Sequence, residues 1–249
     1  MAERVRVGLA GDDHAHRILA QRLADLATSH VPNLDERRVF VGDGAGRAFL
    51  STVTADHPAP GGRPRYKRAL YQGKPLGYAQ VFLDRARALG PVADVALVLV
   101  DEDGDGGRTA SLAIAYDVLA GGHAAAAAIF GVCNPCAEGW FVGLIGPSRP
   151  QRLKRLDSEL GIKAASQPEK LTQKPTTAPK HAKRALHFLL DDEHDDVMRY
   201  SAETPKAKFT EPALAEAMVT RAMVQALDGC GMAAFLDRLV TVYAARVAP

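Results

Sequence analysis

Apolar runs and amphipathic segments alternate along the first half of the chain. Four runs rich in Val, Leu or Ala predict buried strands, at about residues 5–10, 38–41, 95–100 and 124–132. Apolar residues at helical spacing predict helices at about residues 15–28, 77–89 and 109–119. Because strands and helices alternate through residue 132, we predict an α/β fold with a mostly parallel sheet that carries helices on both faces.

The C-terminal third has helical periodicity and no further strand pattern. It predicts helices at about residues 180–190, 192–200, 211–227 and 232–245, and Glu211-Pro212 is a favourable helix start. A basic stretch from Arg149 to Arg184 leads into them. We therefore divide the chain into an α/β core over residues 1–148 and a basic linker with a helical extension over residues 149–249.

The third apolar run ends in carboxylates. It leads directly into Asp101, Asp103 and Asp105, which glycines follow. Ligand sites of open α/β sheets form at the carboxyl ends of the strands. Closely spaced carboxylates repel one another unless a cation or buried donors hold them. Because hard divalent cations prefer oxygen ligands, these three residues are candidate ligands for Mg²⁺ or Mn²⁺. The alternative is a solvated Asp-Gly turn between strand and helix.

Two known aspartate motifs fit this stretch poorly. Asp101-x-Asp103-x-Asp105 matches the first half of an EF-hand loop, but the twelfth position is Leu112 and the predicted element before it is a strand. An aspartyl-phosphatase motif would stand on the first strand of its domain. A covalent aspartyl mechanism is therefore a minor alternative.

Further carboxylates follow the first and fourth predicted strands. Asp12 and Asp13 stand in the turn after the first strand, where either residue could cap the next helix or contribute to a metal site. Glu138 follows the fourth strand, directly after an Asn-Pro turn. It is interpreted either as an acid that stabilises a helix N-terminus or as another carboxylate at the sheet edge of Asp101.

A long stretch from about residue 42 to 76 lacks periodicity and is rich in Gly and Pro, which predicts a loop insertion in the core. Basic residues and tyrosines are interspersed there, so the loop either contacts a nucleic-acid backbone or is a solvated surface. The candidate nucleic-acid-binding residues, in this loop and after residue 148, are Arg63, Arg65, Lys67, Arg68, Arg152 and Arg155.

Composition and charge limit the classes of protein to which this chain can belong. The net charge of +2 gives no overall field that attracts nucleic acid, so such affinity must come from local patches. Three cysteines do not form a disulfide scaffold, and we interpret Cys133 and Cys136 as buried structural thiols. The N-terminus lacks a signal-peptide stretch, and the longest apolar run is too short to span a bilayer. We expect a cytoplasmic protein without membrane contact.

Three features, in this order along the chain, resemble the Toprim superfamily, the metal-binding α/β domain of topoisomerases, DnaG-type primases and small nucleases. Residues 7–19 resemble its first strand, turn and helix, and Asp101-Glu102-Asp103 resembles its Asp-x-Asp motif on the third strand. Asn134-Pro135-Cys136-Ala137-Glu138-Gly139-Trp140 is similar to a segment of stand-alone bacterial RloB-type proteins, which are associated with genome and phage defence. The resemblance covers about residues 4–145.

The resemblance implies a metal-dependent nuclease that cleaves phosphodiester bonds, in DNA rather than RNA. Asp101 and Asp103 would hold Mg²⁺ or Mn²⁺ with Asp105 as an outer ligand. Asp12, Asp13 and Glu138 would be the other catalytic candidates. The sequence leaves homo-oligomer formation open.

One position departs from the family. Its first-strand Glu, a general acid or base, would fall near Ala10. This departure favours an alternative function, that of a catalytically altered regulatory subunit that binds a protein partner such as an ATPase. A third alternative is a phosphotransfer or phosphatase enzyme that acts on a small substrate.

Overall fold

The computed structural model describes residues 4–41, 50–51, 70–71, 74–102, 107–121, 127–201, 203 and 207–248. The strands are β1 (Val5–Gly11), β2 (Arg38–Val41), β3 (Leu50–Ser51), β4 (Leu70–Tyr71), β5 (Lys74–Pro75), β6 (Val95–Asp101) and β7 (Ala127–Cys133). The helices are α1 (His14–Ala27), α2 (Leu34–Arg37), α3 (Ala79–Leu89), α4 (Gly107–Ala120), α5 (Ala137–Ile145), α6 (Pro150–Leu160), α7 (Ala182–Leu190), α8 (Ala207–Glu216), α9 (Arg221–Gln225), α10 (Met232–Arg238) and α11 (Ala245–Val247), with a π-helical segment over Leu239–Ala244.

β1 and β6 are the inner strands of a parallel sheet with the order β2-β1-β6-β7. Val5 of β1 pairs with Arg38 of β2, and Val7 of β1 pairs with Val95 of β6. β3 pairs with the end of β1 at Ala10, while β4 and β5 form a separate antiparallel pair. The predicted α/β class with a mostly parallel sheet is confirmed.

The burial of β6 explains why its sequence forms a strand. Every residue from Val95 to Val100 is buried, and a parallel sheet with covered faces needs such a continuous apolar run. On β1 beside it, a Cβ added at Gly8 would lie 3.0 Å from both Cβ of Ala93 and Cδ2 of Leu89. A larger residue at this position would require Ala93 and Leu89, at the end of α3, to move away from the sheet.

The three helices predicted for the first half are confirmed, and each of their ends lies within two residues of the prediction. The chain crosses from β1 toward β2 in one direction and from β6 toward β7 in the other. Because parallel crossovers are right-handed, α1 and α4 lie on opposite faces of the sheet.

Aromatic residues fix α3 and α4 against β7. The ring centres of Phe82 and Phe130 are 5.2 Å apart, and those of Tyr116 and Phe130 are 5.3 Å apart. The Tyr116 hydroxyl accepts a hydrogen bond from the Phe130 N–H at 2.9 Å and donates one to the Phe130 carbonyl at 3.0 Å. The Tyr116 side chain thus adds two hydrogen bonds with the β7 backbone to the aromatic packing between α4 and β7.

The chain packs as two compact units. The first contains Met1–Leu99, Gly106–Gly131 and Arg238–Pro249, and the second contains Val100–Asp105 and Val132–Asp237. The division into residues 1–148 and 149–249 was drawn from composition and stays a prediction. Across the described ranges, the helices fall short of the length and apolar character that a bilayer crossing requires.

α5 forms the core of the second unit. All nine of its residues are buried, and it packs against α7 and α8. Trp140 donates a hydrogen bond from Nε1 to the Cys230 carbonyl at 2.9 Å. Next to it, Gly231 has φ +85°, and an added Cβ would lie 2.7 Å from the Val132 carbonyl oxygen, so only glycine fits this turn. Cys133, Cys136 and Cys230 are buried and lie outside any disulfide, and burial was the expectation for the first two.

Two sequence expectations for the second half are wrong. The stretch after residue 149, expected to be a basic linker, contains α6, which begins at Pro150 and ends at Gly161 in the left-handed conformation. Both are standard helix-boundary signals. Residues 192–200, expected to be helical, contain a single turn of 3-10 helix, Val197–Arg199. Here Asp191 and Asp196 accept hydrogen bonds from nearby backbone N–H groups and so compete with a helix.

The helix expected over residues 211–227 is also wrong in its bounds. It is divided into α8 and α9, and Pro212 lies inside α8 rather than at its start. Thr220 caps α9 by accepting a hydrogen bond from the Met223 N–H at 3.3 Å. A new N-cap in the middle of a periodic stretch is what separates the two helices.

Arg38 connects three elements of the first unit. This buried arginine of β2 donates a hydrogen bond to the Tyr243 hydroxyl at 2.9 Å and forms an ion pair with Asp25 of α1. Its guanidinium also lies 4.8 Å from the ring centre of Phe40. The C-terminal π-helical segment is thereby attached to the sheet through a charged hydrogen bond.

We predict that Tyr243→Phe lowers the free energy of unfolding by about 1.5–3 kcal/mol, because it removes a hydrogen bond to a buried charged group. Urea denaturation measures the change. The same substitution in an Arg38→Met background should have a much smaller effect, because the donor is already absent. Equal losses in both backgrounds would contradict this account of the pair.

Candidate functional site

β1 and β6 end at the same edge of the sheet. They are parallel neighbours, with Gly11 paired with Leu99, and the chain leaves them in opposite directions across the sheet. Asp12 follows β1 and belongs to the first unit, whereas Asp101 ends β6 and belongs to the second, so the surroundings of each residue are described within its own unit.

Asp12 forms an ion pair within the first unit. Its Oδ2 lies 2.8 Å from Nη1 of Arg108, in the first turn of α4, and both side chains are partly buried. The Arg108 guanidinium lies 5.7 Å from the ring centre of Tyr78. Because the carboxylate already has a cationic partner, a metal ion or a substrate proton would compete with Arg108 for it.

Asp13 caps α1, which confirms one of its two sequence interpretations. Its Oδ1 accepts hydrogen bonds from the N–H groups of Ala15 at 2.9 Å and His16 at 3.4 Å, and it lies 2.8 Å from Nδ1 of His16. Burial alone raises the pKa of Asp13, but the hydrogen bond and charge of His16, with the Ala15 N–H, lower it overall. A carboxylate stabilised in this way is a weak general base.

Asp101 is held by two donors of the second unit. Its Oδ1 accepts a hydrogen bond from the Ala137 N–H at 2.7 Å, at the start of α5, and its Oδ2 lies 3.5 Å from Nε2 of Gln173. A carboxylate oxygen of Asp101 and Sγ of Cys133 lie within 4.8 Å of each other. Both atom types bind metal ions, but a thiolate favours Zn²⁺ over Mg²⁺. The donor set could hold a metal ion and does not identify it.

Glu138 is a buried acid in the first turn of α5. Its side chain is 2% exposed, and Oε1 lies 3.8 Å from Nζ of Lys183. The Cys136 thiol hydrogen bonds to it. Burial, followed by the negative charges of Glu138 and Asp101, raises the pKa of the Cys136 thiol well above its usual value. Cys136 is therefore a protonated structural thiol, and Glu138 has a counter-ion from a distant part of the chain.

A segment near residue 180 completes this cluster, and sequence reasoning missed it. His181 is buried, and its Nδ1 accepts a hydrogen bond from the Lys183 N–H at 3.3 Å, which caps α7. Burial lowers the pKa of His181, although a hydrogen bond to the Gln173 carbonyl and the charge of Glu138 act in the opposite direction. No motif or spacing relates this segment to Asp101, because the two meet only through tertiary packing.

Other predicted site residues lie outside the described residues. These are Asp103, Asp105, Arg63, Arg65, Lys67 and Arg68. Their metal-binding and nucleic-acid-binding roles stay predictions.

Arg152, a predicted nucleic-acid contact, makes its contacts inside the protein. It is 11% exposed, and its Nη2 donates hydrogen bonds to the carbonyl oxygens of Phe188 at 2.7 Å, Asp191 at 2.6 Å and His194 at 2.9 Å. Its guanidinium lies 3.8 Å from the Phe188 ring centre. These contacts hold residues 188–194 against α6 and thus give Arg152 a structural role.

Arg155 is more exposed and pairs with Asp195. Beside it lies a cavity of about 550 Å³ that carries both signs of charge, lined by Arg149, Pro150, Gln151, Arg152, Arg155, Asp192 and Asp195. A surface of mixed charge attracts a polyanion less than the purely basic patch that the sequence suggested.

Known proteins add no further assignment. No protein-family model, no curated protein and no solved structure matches this chain. The resemblance to the Toprim superfamily thus depends on the motifs of the sequence and stays a prediction.

Two histidines of the second unit, the buried His181 and the half-buried His187, predict a stability change with pH. Burial is the main cause that lowers the pKa of both His181 and His187, so the unfolded chain takes up protons first as the pH falls. Their contribution to stability is present above about pH 6.5 and is lost as the pH falls through their folded-state pKa values.

We therefore expect the urea midpoint to fall between pH 7 and pH 5. His181→Asn should reduce this fall, since asparagine keeps the capping function without the titration. A midpoint that is equal at both pH values in the unsubstituted protein would contradict the prediction.

Proposed function

We propose that this protein is a metal-dependent nuclease of the Toprim type, with its cation bound at Asp101. The observation that carries the proposal is the Asp101 carboxylate, which ends a fully buried parallel strand and is oriented by Ala137 and Gln173. Asp103 and Asp105 follow in the sequence as further oxygen ligands, which would suit Mg²⁺ or Mn²⁺. The substrate would be a DNA backbone, and the setting bacterial genome or phage defence in the cytoplasm.

A bound cation supplies Lewis-acid stabilisation of the scissile phosphate and lowers the pKa of a bound water. Asp101 contributes an oriented carboxylate for this purpose. The sequence offers Asp12 and Asp13 as candidates for taking the proton of the attacking water. Asp13 is used as a helix cap, and Asp12 is paired with Arg108.

One observation favours a regulatory function instead. Ala10 stands where the resembling family has its Glu, and both nearby carboxylates already stabilise local structure, Asp13 as a cap and Asp12 in an ion pair. A subunit that binds metal or nucleic acid without cleavage, in complex with a partner such as an ATPase, would need no free base. A stable complex with a product of a neighbouring gene in size-exclusion chromatography, without cleavage by either subunit, would support this function.

We expect the protein to nick supercoiled plasmid DNA in Mg²⁺ or Mn²⁺ and Asp101→Asn to abolish nicking. The same substitution should weaken Mn²⁺ binding, measured by titration calorimetry, about 10–100-fold or more, since changes even outside the ligand shell have effects of that size. Asp35→Asn, at an exposed position of α2, is the matched control and should behave as the unsubstituted protein does.

Indistinguishable products from the unsubstituted protein and Asp101→Asn, across metals and substrates, would remove the nuclease proposal. Unchanged Mn²⁺ affinity in Asp101→Asn would remove the assignment of the cation to this carboxylate.

A further inference from the structure

Lys183 is an unusual residue for its place in the fold. It stands in the first turn of α7, where the helix dipole disfavours a positive charge. Its neighbour Arg184 donates hydrogen bonds to the carbonyl oxygens of Thr176 at 3.1 Å and Tyr200 at 2.6 Å, which accounts for that arginine structurally. Lys183 instead directs its ammonium toward the buried Glu138 and keeps its side chain 29% exposed.

The Glu138–Lys183 ion pair by itself contributes little to the stability of the fold. A carboxylate that is 2% exposed loses most of its hydration, and a buried ion pair adds little over apolar side chains of similar volume. The separation of 3.8 Å between Oε1 and Nζ exceeds the length of a charge-assisted hydrogen bond. Because an ammonium group has three donors, Lys183 can bind another anion while Glu138 holds it.

The pair lies in one cluster with Asp101. Ala137, which donates its N–H to Asp101, is the residue directly before Glu138. The Cys136 thiol lies close enough to both carboxylates for their charges to raise its pKa. The cluster thus contains a carboxylate, that of Asp101, which is suited to a cation, and an ammonium, that of Lys183, which is suited to an anion.

A second connection runs through the segment before α7. Residues 172 and 181 form a parallel bridge, in which the Thr172 carbonyl accepts a hydrogen bond from the Ala182 N–H at 2.8 Å. His181 hydrogen bonds through its ring to the Gln173 carbonyl, and Gln173 extends its amide toward Asp101. The start of α7, which carries Lys183, is therefore connected to Asp101 through backbone contacts to residues 172 and 173 and through the Gln173 side chain.

We propose that Lys183, held in place by Glu138, binds a phosphate oxygen of a nucleic-acid backbone beside Asp101. The inference rests on the proposed function and refines it. Glu138 becomes a positioning residue and counter-ion rather than a metal ligand. An ammonium and a cation-binding carboxylate in one cluster would bring opposite charges to the two parties of the reaction, the phosphate and the metal.

The test is binding of a fluorescein-labelled single-stranded DNA of 12 nucleotides, measured by fluorescence anisotropy in EDTA and in Ca²⁺ at several KCl concentrations. Lys183→Met should weaken binding about 10–100-fold, the usual effect of losing a hydrogen bond to a charged group. It should also reduce the slope of log affinity against log salt by about 0.7, because one phosphate contact is lost. Lys154→Met, at an exposed position of α6, is the control and should change neither quantity.

Two further variants separate binding from folding. Lys183→Arg keeps the positive charge and should retain most of the affinity and the full salt slope. The double variant Glu138→Gln/Lys183→Met removes both charges, so no buried carboxylate loses the Lys183 ammonium as its counter-ion. It should be at least as stable as Lys183→Met in urea and still bind DNA as weakly, which assigns the loss of affinity to the ammonium rather than to unfolding.

The proposal is overturned if Lys183→Met and Lys154→Met have equal effects, or if the salt slope is unchanged in Lys183→Met. It is also overturned if the unsubstituted protein does not bind the DNA in either buffer. Nicking that depends on Asp101, together with unchanged DNA binding in Lys183→Met, would leave the nuclease function standing and remove the role of Lys183. Loss of binding in Lys183→Met without nicking in any metal would do the reverse.

Discussion

The second unit depends on the way a carboxylate is accommodated at the end of an apolar strand. β6 is buried along its length and ends in Asp101, and a charge there needs donors that replace water. The N–H of Ala137 at the start of α5 is such a donor, and a helix N-terminus favours a negative charge. One hydrogen bond thus joins the end of the central strand to the most buried helix of the unit.

The position of α5 also determines where the Glu138 carboxylate lies. With its N-terminus at Asp101, the first turn of α5 carries a second acid into the protein interior. Two nearby carboxylates repel each other, and the Lys183 ammonium and the protonated Cys136 thiol reduce that repulsion. His181 caps α7, the helix that carries Lys183 in its first turn.

Local signals in the sequence explain what could be predicted. The apolar run from Val95 to Val100 and the helical spacing of apolar residues indicate directly which residues are buried. The α/β class and the strand that ends in Asp101 could therefore be predicted from the sequence. α6 had boundary signals at Pro150 and Gly161, but its basic composition concealed them. The partners of Asp101 and Glu138 could not be predicted, because Gln173 lies in a stretch without a periodic pattern and the pattern around Lys183 indicates only a helix. The carbonyl partners of Arg152 could not be predicted for a related reason, since its charge suggested a surface role and these partners are known only after folding.

The two candidate functions, nuclease and regulatory subunit, require different properties of the residues in the turn after β1. Hydrolysis needs a base with an available lone pair, while the described carboxylates of that turn are engaged by His16 and Arg108. Binding of a phosphate backbone requires only fixed charges, which Asp101 with a cation and Lys183 would provide. Under the proposed nuclease function, the ion pair between Asp12 and Arg108 would have to open before Asp12 could accept a proton, whereas binding alone would leave this pair in place.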